Sequence, residues 1–191
     1  NCQNITIKNS FVHSFDDTIT IKGILRYCDT SNKNIHIDNC VLWCDWGKTC
    51  ELGVETACEE YDNISFVNCD VLRGGNTVCD IGNGYTAYIH NIRFEDIRAE
   101  YNRFDTPEQL QRTEDTVYQR ESEIAIPHLI NFFNCKYDES SYNVRAGGAI
   151  TGRSYCISDI VCKNLTVYYD EGMPLSEGKP MIMLSLQNMR E

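Results

Sequence analysis

The sequence has 191 residues, of which 42% are hydrophobic and 24% are charged, as in ordinary globular proteins. Lys and Arg total 17 against 28 Asp and Glu, which gives a formal net charge of −11. This acidity argues against nucleic acid and anionic membranes as partners. No apolar run reaches the length of about 18 residues that indicates a membrane-spanning helix. We expect a single domain over residues 1–191.

Five short segments share a pattern in which apolar and polar residues alternate between two Asn or Asp residues. They begin at Asn4, Asn34, Asn63, Asn91 and Asp159, so the first four start 30, 29 and 28 residues apart. Alternation at period two predicts strands with one buried face. Strands this far apart fit successive coils of a solenoid and cannot be hairpin partners. Stacked Asn side chains at equivalent turns are expected to bond the backbone and one another.

A second strand is predicted within each of the first three coils, which can be aligned on Asn9, Asn39 and Asn68. This alignment places alternate residues in rows that run from coil to coil. The inward rows are Ile19–Cys50–Cys79 and Ile21–Leu52–Ile81, and the outward rows are Thr20–Glu51–Asp80 and Lys22–Gly53–Gly82. The agreement of three coils predicts an all-β fold, a right-handed parallel β-helix.

Residues 98–150 interrupt the repeat. The polar segment 101–126 is predicted to be an inserted loop, after which 127–133 returns to strand and 181–186 forms a last strand. Because the sequence starts within a coil motif, we expect the solenoid to be part of a longer chain.

The eleven cysteines are an odd number, and several occupy strand positions among Ile, Val and Leu. Such cysteines behave as small buried hydrophobes, which favours reduced thiols over a secreted disulfide scaffold. A reducing setting such as the cytoplasm is therefore expected, with secretion as the alternative if a signal peptide has been removed. The pair Cys40 and Cys44 lacks a matching second pair for zinc.

Two adjacent carboxylates, Asp16 and Asp17, stand at the entrance of the predicted strand that holds 18–22 and follow Asn9. The motif D-D-T-I-T-I-K resembles the polygalacturonase-like glycoside hydrolases of the pectate-lyase-type β-helix superfamily, in which an Asp-Asp pair opens a strand of this form. The resemblance covers the solenoid pattern of residues 4–97. The simpler alternative is that the pair only forms a turn at the start of a strand, where Asp is common.

The resemblance implies an inverting glycoside hydrolase in which Asp16 and Asp17 supply the acid and help to activate water. Two positions depart from the family's pattern. Lys48 stands where the family has a His. The family's two basic residues that hold an acidic sugar align near Asp80 and are absent here. Since galacturonate needs a cation for its carboxylate, we expect a neutral or modestly substituted polysaccharide as the substrate. Dextran-cleaving β-helix enzymes are also similar at this point.

The second coil adds Asp45 and Trp46, which we expect beside Asp16 on the next rung. An indole face packs well against a sugar ring, so Trp46 is a candidate substrate-binding residue. Asp45 is a candidate for a further catalytic carboxylate. Trp43 shares an alternating face with Val41 and is predicted to lie in the core.

Further candidates surround these residues in the predicted rows. Glu51 and Asp80 are candidate substrate or calcium ligands, with a solvated face as the alternative. His13 is close to Asp17 in sequence and is a candidate for orienting it. Lys22, which ends the D-D-T-I-T-I-K motif, and Lys48 are also candidates for substrate binding. The four histidines lack the spacing of a catalytic zinc site, so neither a metal nor an organic cofactor is predicted.

Two functions of different class remain open from the sequence. The first is a glycoside hydrolase that acts on a polysaccharide or oligosaccharide. The second is a noncatalytic β-helix module that binds glycan or has a structural role. A lyase is a third, weaker alternative, because Arg26, Arg73 and Arg98 have no clear place in a groove. The oligomeric state is not readable from the sequence.

Overall fold

The computed structural model describes eight stretches of the chain, numbered 1–24, 29–85, 87–101, 109–111, 118–120, 128–134, 156–169 and 182–185. Within them the secondary structure consists of strands and contains no helix, and thus no helix that could cross a membrane. The strands are, in chain order, β1 (Gln3–Lys8), β2 (Phe11–Ser14), β3 (Ile19–Gly23), β4 (Asn32–Asp38), β5 (Val41–Cys44), β6 (Lys48–Thr56), β7 (Glu60–Val67), β8 (Asp70–Gly74), β9 (Thr77–Asn83), β10 (Tyr88–Glu95), β11 (Arg98–Tyr101), β12 (Gln109–Gln111), β13 (Tyr118–Arg120), β14 (His128–Asn134), β15 (Cys156–Ile157), β16 (Ile160–Lys163), β17 (Thr166–Tyr169) and β18 (Ile182–Ser185).

Three parallel sheets form the walls of a β-solenoid, which confirms the predicted fold class. Sheet A has the order β1-β4-β7-β10, with β15 and β16 both paired to β10. Sheet B has the order β2-β5-β8-β11-β17, and sheet C has the order β3-β6-β9-β14-β18. Each pass of the chain therefore adds one strand to each wall in turn, and equivalent residues of successive passes become neighbours.

The Asn repeat forms ladders along the solenoid, as predicted. Asn39 has a φ of 52° and donates a 2.8 Å hydrogen bond from Nδ2 to Asn9 Oδ1. Asn68 continues the ladder with a 3.2 Å bond to Asn39 Oδ1. A residue at positive φ strains most side chains, whereas Asn tolerates this conformation well. The left-handed conformation recurs at both ends of the repeat, at Asn4, Asn9, Asn34, Asn39, Asn63, Asn68, Asn91, Asp96, Asp159 and Asn164.

The inward rows of sheet C also lie as predicted. Ile19 pairs with Cys50 and Cys50 with Cys79, while Leu52 pairs with Ile81. Cys50, Cys79, Leu52 and Ile81 are fully buried. All nine described cysteines are free thiols, so the described part of the core is held by apolar burial and not by disulfides.

One predicted outward row is wrong at its first member. Gly53 pairs with Gly82 as expected. The register between β3 and β6 shifts after Ile21, however, so that Gly23 lies opposite Thr56. Lys22 therefore leaves the predicted row, and its Nζ lies 2.8 Å from Glu55 Oε2. The alternation pattern could not reveal this shift, because a bulge adds residues to one strand without changing the pattern of the other.

The predicted insertion at 101–126 lies mostly outside the described residues. Its described strands, β12 and β13, pair antiparallel with each other. The chain then returns to sheet C with β14 and β18, as the sequence predicted for 127–133 and 181–186.

Candidate active site

A cavity of about 420 Å³ opens where the turns between sheets B and C meet the strands of sheet C. Six of the nine candidate site residues line it, namely Asp16, Asp17, Lys22, Trp46, Lys48 and Glu51. Gly47, Val54, Glu55 and Asn76 complete the lining. The parallel stacking of the first three coils thus brings together residues that are up to 60 positions apart in the chain.

The turn that holds Asp16 and Asp17 is fixed by backbone hydrogen bonds. The Asp17 amide donates a 2.9 Å bond to Asp16 Oδ1, and the Lys48 amide donates a 3.0 Å bond to Asp17 Oδ1. Gly47 allows this close approach, because a Cβ atom there would lie 2.4 Å from the Asp17 amide nitrogen. This role of Gly47 was not predicted from the sequence, although a glycine beside a strand is a signal of close backbone approach.

The carboxyl groups of Asp17 and Glu51 lie within hydrogen-bonding range of each other in the cavity, and this contact lowers the pKa of Asp17 and raises that of Glu51. Glu51 is 1% exposed and accepts a 2.8 Å bond from Thr20 Oγ1. Burial raises the pKa of Glu51 to about 8, against the pull of the Lys48 charge and with a further contribution from Asp17. Burial alone would also raise the pKa of Asp17, but its bonds to Glu51 and the Lys48 amide, with the charge of Lys22, lower it overall.

Each lysine of the cavity lies between two acidic side chains. Lys48 Nζ lies 2.5 Å from Glu51 Oε1 and 3.6 Å from Asp80 Oδ2. Lys22 Nζ lies 2.8 Å from a Glu55 oxygen and 3.6 Å from Asp17 Oδ2. Burial would lower the pKa of both lysines, but these acids outweigh it and raise the pKa of each. Both ammonium groups therefore stay charged and are neutralised from within the protein.

Glu51 belongs to a polar row on the outer face of sheet C. The predicted neighbours Thr20, Glu51 and Asp80 are in register, and Asn131 of β14 extends the row. Asp80 is fully buried and accepts a 2.8 Å bond from Asn131 Nδ2. Burial raises the pKa of Asp80 to about 6, although Lys48 and Asn131 oppose the rise. The alternative of a solvated face is therefore wrong for Glu51 and Asp80.

Two predicted site residues, His13 and Asp45, lie together on sheet B and do not line the cavity. His13 Nε2 lies 2.8 Å from Asp45 Oδ2, so His13 orients Asp45 and not Asp17. Trp43 Nε1 donates a 2.9 Å bond to Asp45 Oδ1. Burial would raise the pKa of Asp45, but the bonds from His13 and Trp43 lower it. The Asp45 carboxylate is thus held by His13 and Trp43 and does not line the cavity.

The prediction that Trp43 lies in the core is wrong. Leu42 and Cys44 take the inward positions of β5 and are fully buried, which leaves Trp43 half-buried on the outer face. Alternation alone gives two possible assignments of the faces of a strand, and a one-residue change exchanges them.

An aromatic pair borders the cavity. The Phe15 and Trp46 rings come from adjacent coils, their centroids are 6.0 Å apart, and their planes differ by 16°. The Trp46 amide donates a 2.8 Å hydrogen bond to the Phe15 carbonyl, which fixes the two backbones beside each other. Trp46 was predicted to line a groove, whereas Phe15, 42% exposed, was not singled out from the sequence.

One group of described residues has the composition of a metal site. Glu60, Asp62 and His90 lie on the outer face of sheet A, with ligand atoms within 4.8 Å of one another. Lys33 forms an ion pair with Glu60, and His90 Nε2 lies 2.9 Å from Glu60 Oε2. This group is not part of the cavity lining.

Comparisons of the chain with protein-family models, with curated proteins and with solved structures found no significant match. The fold and the geometry of the cavity are therefore the grounds for a functional proposal.

Proposed function

We propose that the chain is a glycoside hydrolase of the polygalacturonase-like type that cleaves O-glycosidic bonds in a polysaccharide. One observation carries the proposal. Asp17 and Glu51 lie in the same cavity, and the environment moves the pKa of one carboxyl down and of the other up to about 8. A carboxyl group that keeps its proton up to about pH 8 can serve as the acid that glycoside hydrolysis requires, and Asp16 in the same cavity offers a separate carboxyl group for the base.

The proposed roles follow from the positions of the carboxyl groups. Asp17 and Glu51 are too close to flank a glycosidic bond, since they share a hydrogen bond. We assign them together as the acid, because the pair holds one proton below about pH 8. This proton goes to the leaving oxygen as the bond from that oxygen to the anomeric carbon breaks. Water attacks the same carbon, and its proton passes to Asp16, which lines the cavity from the exposed side of the turn.

The proposed mechanism inverts the anomeric configuration, as the family resemblance implies. Inversion requires that water attack directly, without a covalent sugar–enzyme intermediate. In this assignment Asp16 acts on water and forms no bond to the sugar. Asp45 has no role in it, because its carboxylate is bound by His13 and Trp43 away from the cavity.

The proposed substrate is a neutral or modestly substituted polysaccharide. A uronic acid polymer would need a cation for each bound carboxylate. Lys22 and Lys48 are the cations of the cavity lining, and each is already held between two acids of the protein. A galacturonate carboxylate would have to displace those acids.

The neutralised charges also favour a second candidate function, a noncatalytic glycan-binding or structural module. Ion pairs that are complete within the protein, such as Lys48 with Asp80 and Lys22 with Glu55, can serve stability alone. In that case the Asp17–Glu51 hydrogen bond would be part of a structural network, and no turnover would depend on it.

A reducing-end assay on a panel of neutral and acidic polysaccharides distinguishes the two candidates. The panel is offered to the wild type, to Asp17→Asn and to Asp38→Asn, a control at an exposed residue of β4 in sheet A. For a hydrolase, Asp17→Asn should lower turnover by roughly a hundredfold or more, and the control should remain active. Melting curves should show that all three proteins are folded. Equal release of reducing ends by the wild type and Asp17→Asn would overturn the proposal. A folded wild type that releases no reducing ends from any polysaccharide would favour the noncatalytic module.

A further inference from the structure

The aromatic pair Phe15 and Trp46 is continuous with the proposed catalytic cavity. Phe15 directly precedes Asp16, and Trp46 directly precedes Gly47, so both rings are attached to the turns that form one side of the cavity. Trp46 itself lines the cavity, and the two ring planes differ by only 16°. The apolar surface of the two rings is therefore directly adjacent to the carboxyl groups of the cavity.

Phe15 is exposed although its ring packs beside Trp46. It lies between the polar residues Ser14 and Asp16 in the chain, and 42% of its surface remains in contact with solvent. An exposed ring gains free energy when a ligand covers it, at roughly 25 cal/mol per Å² of apolar area removed from water. A ring beside a catalytic cavity is positioned so that a bound substrate can provide this cover.

The aromatic faces and the nearby Asp16 carboxylate indicate which class of ligand fits this surface. Aromatic faces pack against the C–H groups of pyranose rings by hydrophobic contact. The Asp16 carboxylate next to Phe15 is exposed and disfavours an anionic group at this position. An uncharged sugar satisfies both conditions, because it offers an apolar face and carries no negative charge.

We propose that Phe15 and Trp46 form a binding subsite for one uncharged pyranose ring of a glycan, adjacent to the sugar unit that occupies the carboxyl-lined cavity. This inference rests on the proposed function, because that function places the neighbouring sugar unit of the glycan in the cavity. The subsite extends glycan recognition to Phe15, which contributes no chemical group to catalysis. It binds substrate equally before and during reaction, so its loss should weaken binding more than it slows the chemical step.

The test is affinity electrophoresis in native gels that contain dextran, galactan, xylan or mixed-linkage β-glucan. Asp17→Asn is the parent protein, so that glycan is not consumed. Phe15→Ala is compared with Phe11→Ala, a control at a residue that is 62% exposed in β2 and does not line the cavity. At least one of these glycans should retard the parent. Phe15→Ala should weaken that binding by about tenfold, and Phe11→Ala should leave it unchanged.

Trp46→Ala provides the second variant, and thermal melts show whether each protein is folded. Equal retardation of Phe15→Ala and the parent would overturn the subsite, and so would a folded parent that binds none of the four neutral glycans. Failure of the proposed function can be distinguished from failure of the subsite. Binding that depends on Phe15, together with no release of reducing ends by the wild type, would keep the subsite and reject the hydrolase.

Discussion

The backbone amide of Lys48 donates a 3.0 Å hydrogen bond to Asp17 Oδ1, and this bond joins the second coil to the proposed catalytic turn of the first. The geometry of Asp17 therefore depends on how closely residues 47–48 approach it. Stacking of the coils, together with the local bond from the Asp17 amide to Asp16 Oδ1, therefore sets the position of the carboxylate.

The first prediction concerns Gly47→Ala. A Cβ atom at Gly47 would lie 2.4 Å from the Asp17 amide nitrogen and 2.6 Å from Asp16 Oδ1, so both acids must move. Turnover should fall by roughly a hundredfold, because displacement by about 1 Å is enough to misalign reacting groups. The reducing-end assay measures this loss, and melting curves show whether the variant is folded.

Gly23→Ala is the matched control for that substitution. Its added Cβ would meet Cys58 Sγ at 2.8 Å, and neither Gly23 nor Cys58 lines the cavity. Stability should fall while turnover of the folded protein changes by no more than a few fold. A Gly47→Ala variant with wild-type turnover would contradict the proposed importance of the turn.

The second prediction concerns stability between pH 6 and pH 8. The pKa of Glu51 in the folded chain, about 8, lies above its unfolded value. Its stabilising effect is therefore complete at low pH and is lost as the pH rises toward 8. Asp80, with a pKa of about 6, is half ionised at the lower end of this window and adds a smaller loss of the same sign. The wild type should lose about 2 kcal/mol of unfolding free energy from pH 6 to pH 8.

Glu51→Gln isolates the effect, because the amide cannot ionise and can still bond to Asp17. Its unfolding free energy, measured by urea titration, should be nearly constant between pH 6 and pH 8. A wild type that is equally stable at both pH values would show that Glu51 ionises normally.

The third prediction concerns the Asn ladder. Asn39→Ala places a side chain without a compensating amide at a φ of 52° and removes the bonds to Asn9 and Asn68. It should lower the unfolding free energy by about 1–2 kcal/mol. Asn39→Gly keeps the favourable backbone and loses only the bonds, so its loss should be smaller. Urea titration of both variants measures the difference, and equal losses would show that backbone conformation does not explain the Asn preference.

The fourth prediction concerns the buried thiols. Burial raises the pKa of Cys50 and Cys79 well above the usual range, and both are fully buried. Alkylation requires an accessible thiolate. Iodoacetamide should therefore label the exposed Cys2 in the folded protein and should label Cys50 and Cys79 only after unfolding. Peptide mass spectrometry identifies each labelled residue, and rapid labelling of Cys79 in the native state would contradict the packed core.

Much of the fold could be predicted because the coils repeat the same physical pattern. The row of Thr20, Glu51 and Asp80 required only a period of about 29 residues and alternation along the strand. The convergence of Asp17, Lys48 and Glu51 on one cavity follows from the same alignment. Three coils support the same alignment independently, which is why these rows could be predicted from the sequence.

The remaining details depend on contacts that a single sequence does not encode locally. The register shift near Lys22 arises in the partner strand β6. The outward position of Trp43 depends on which face of β5 is buried, and both faces carry apolar residues. The partnership of His13 with Asp45 joins neighbouring strands on a different wall of the solenoid. Sequence distance from Asp17 could not reveal it.

A carbon-13 NMR titration of the side-chain carboxyl groups tests the central claim, that Asp17 and Glu51 hold one proton between them. Asp17→Asn and Glu51→Gln assign the two signals. The Glu51 signal should titrate near pH 8, and the Asp17 signal should titrate below the usual value of an aspartate. If both groups instead titrate near the ordinary carboxyl value of about 4, the pair holds no proton at neutral pH and cannot act as the proposed acid.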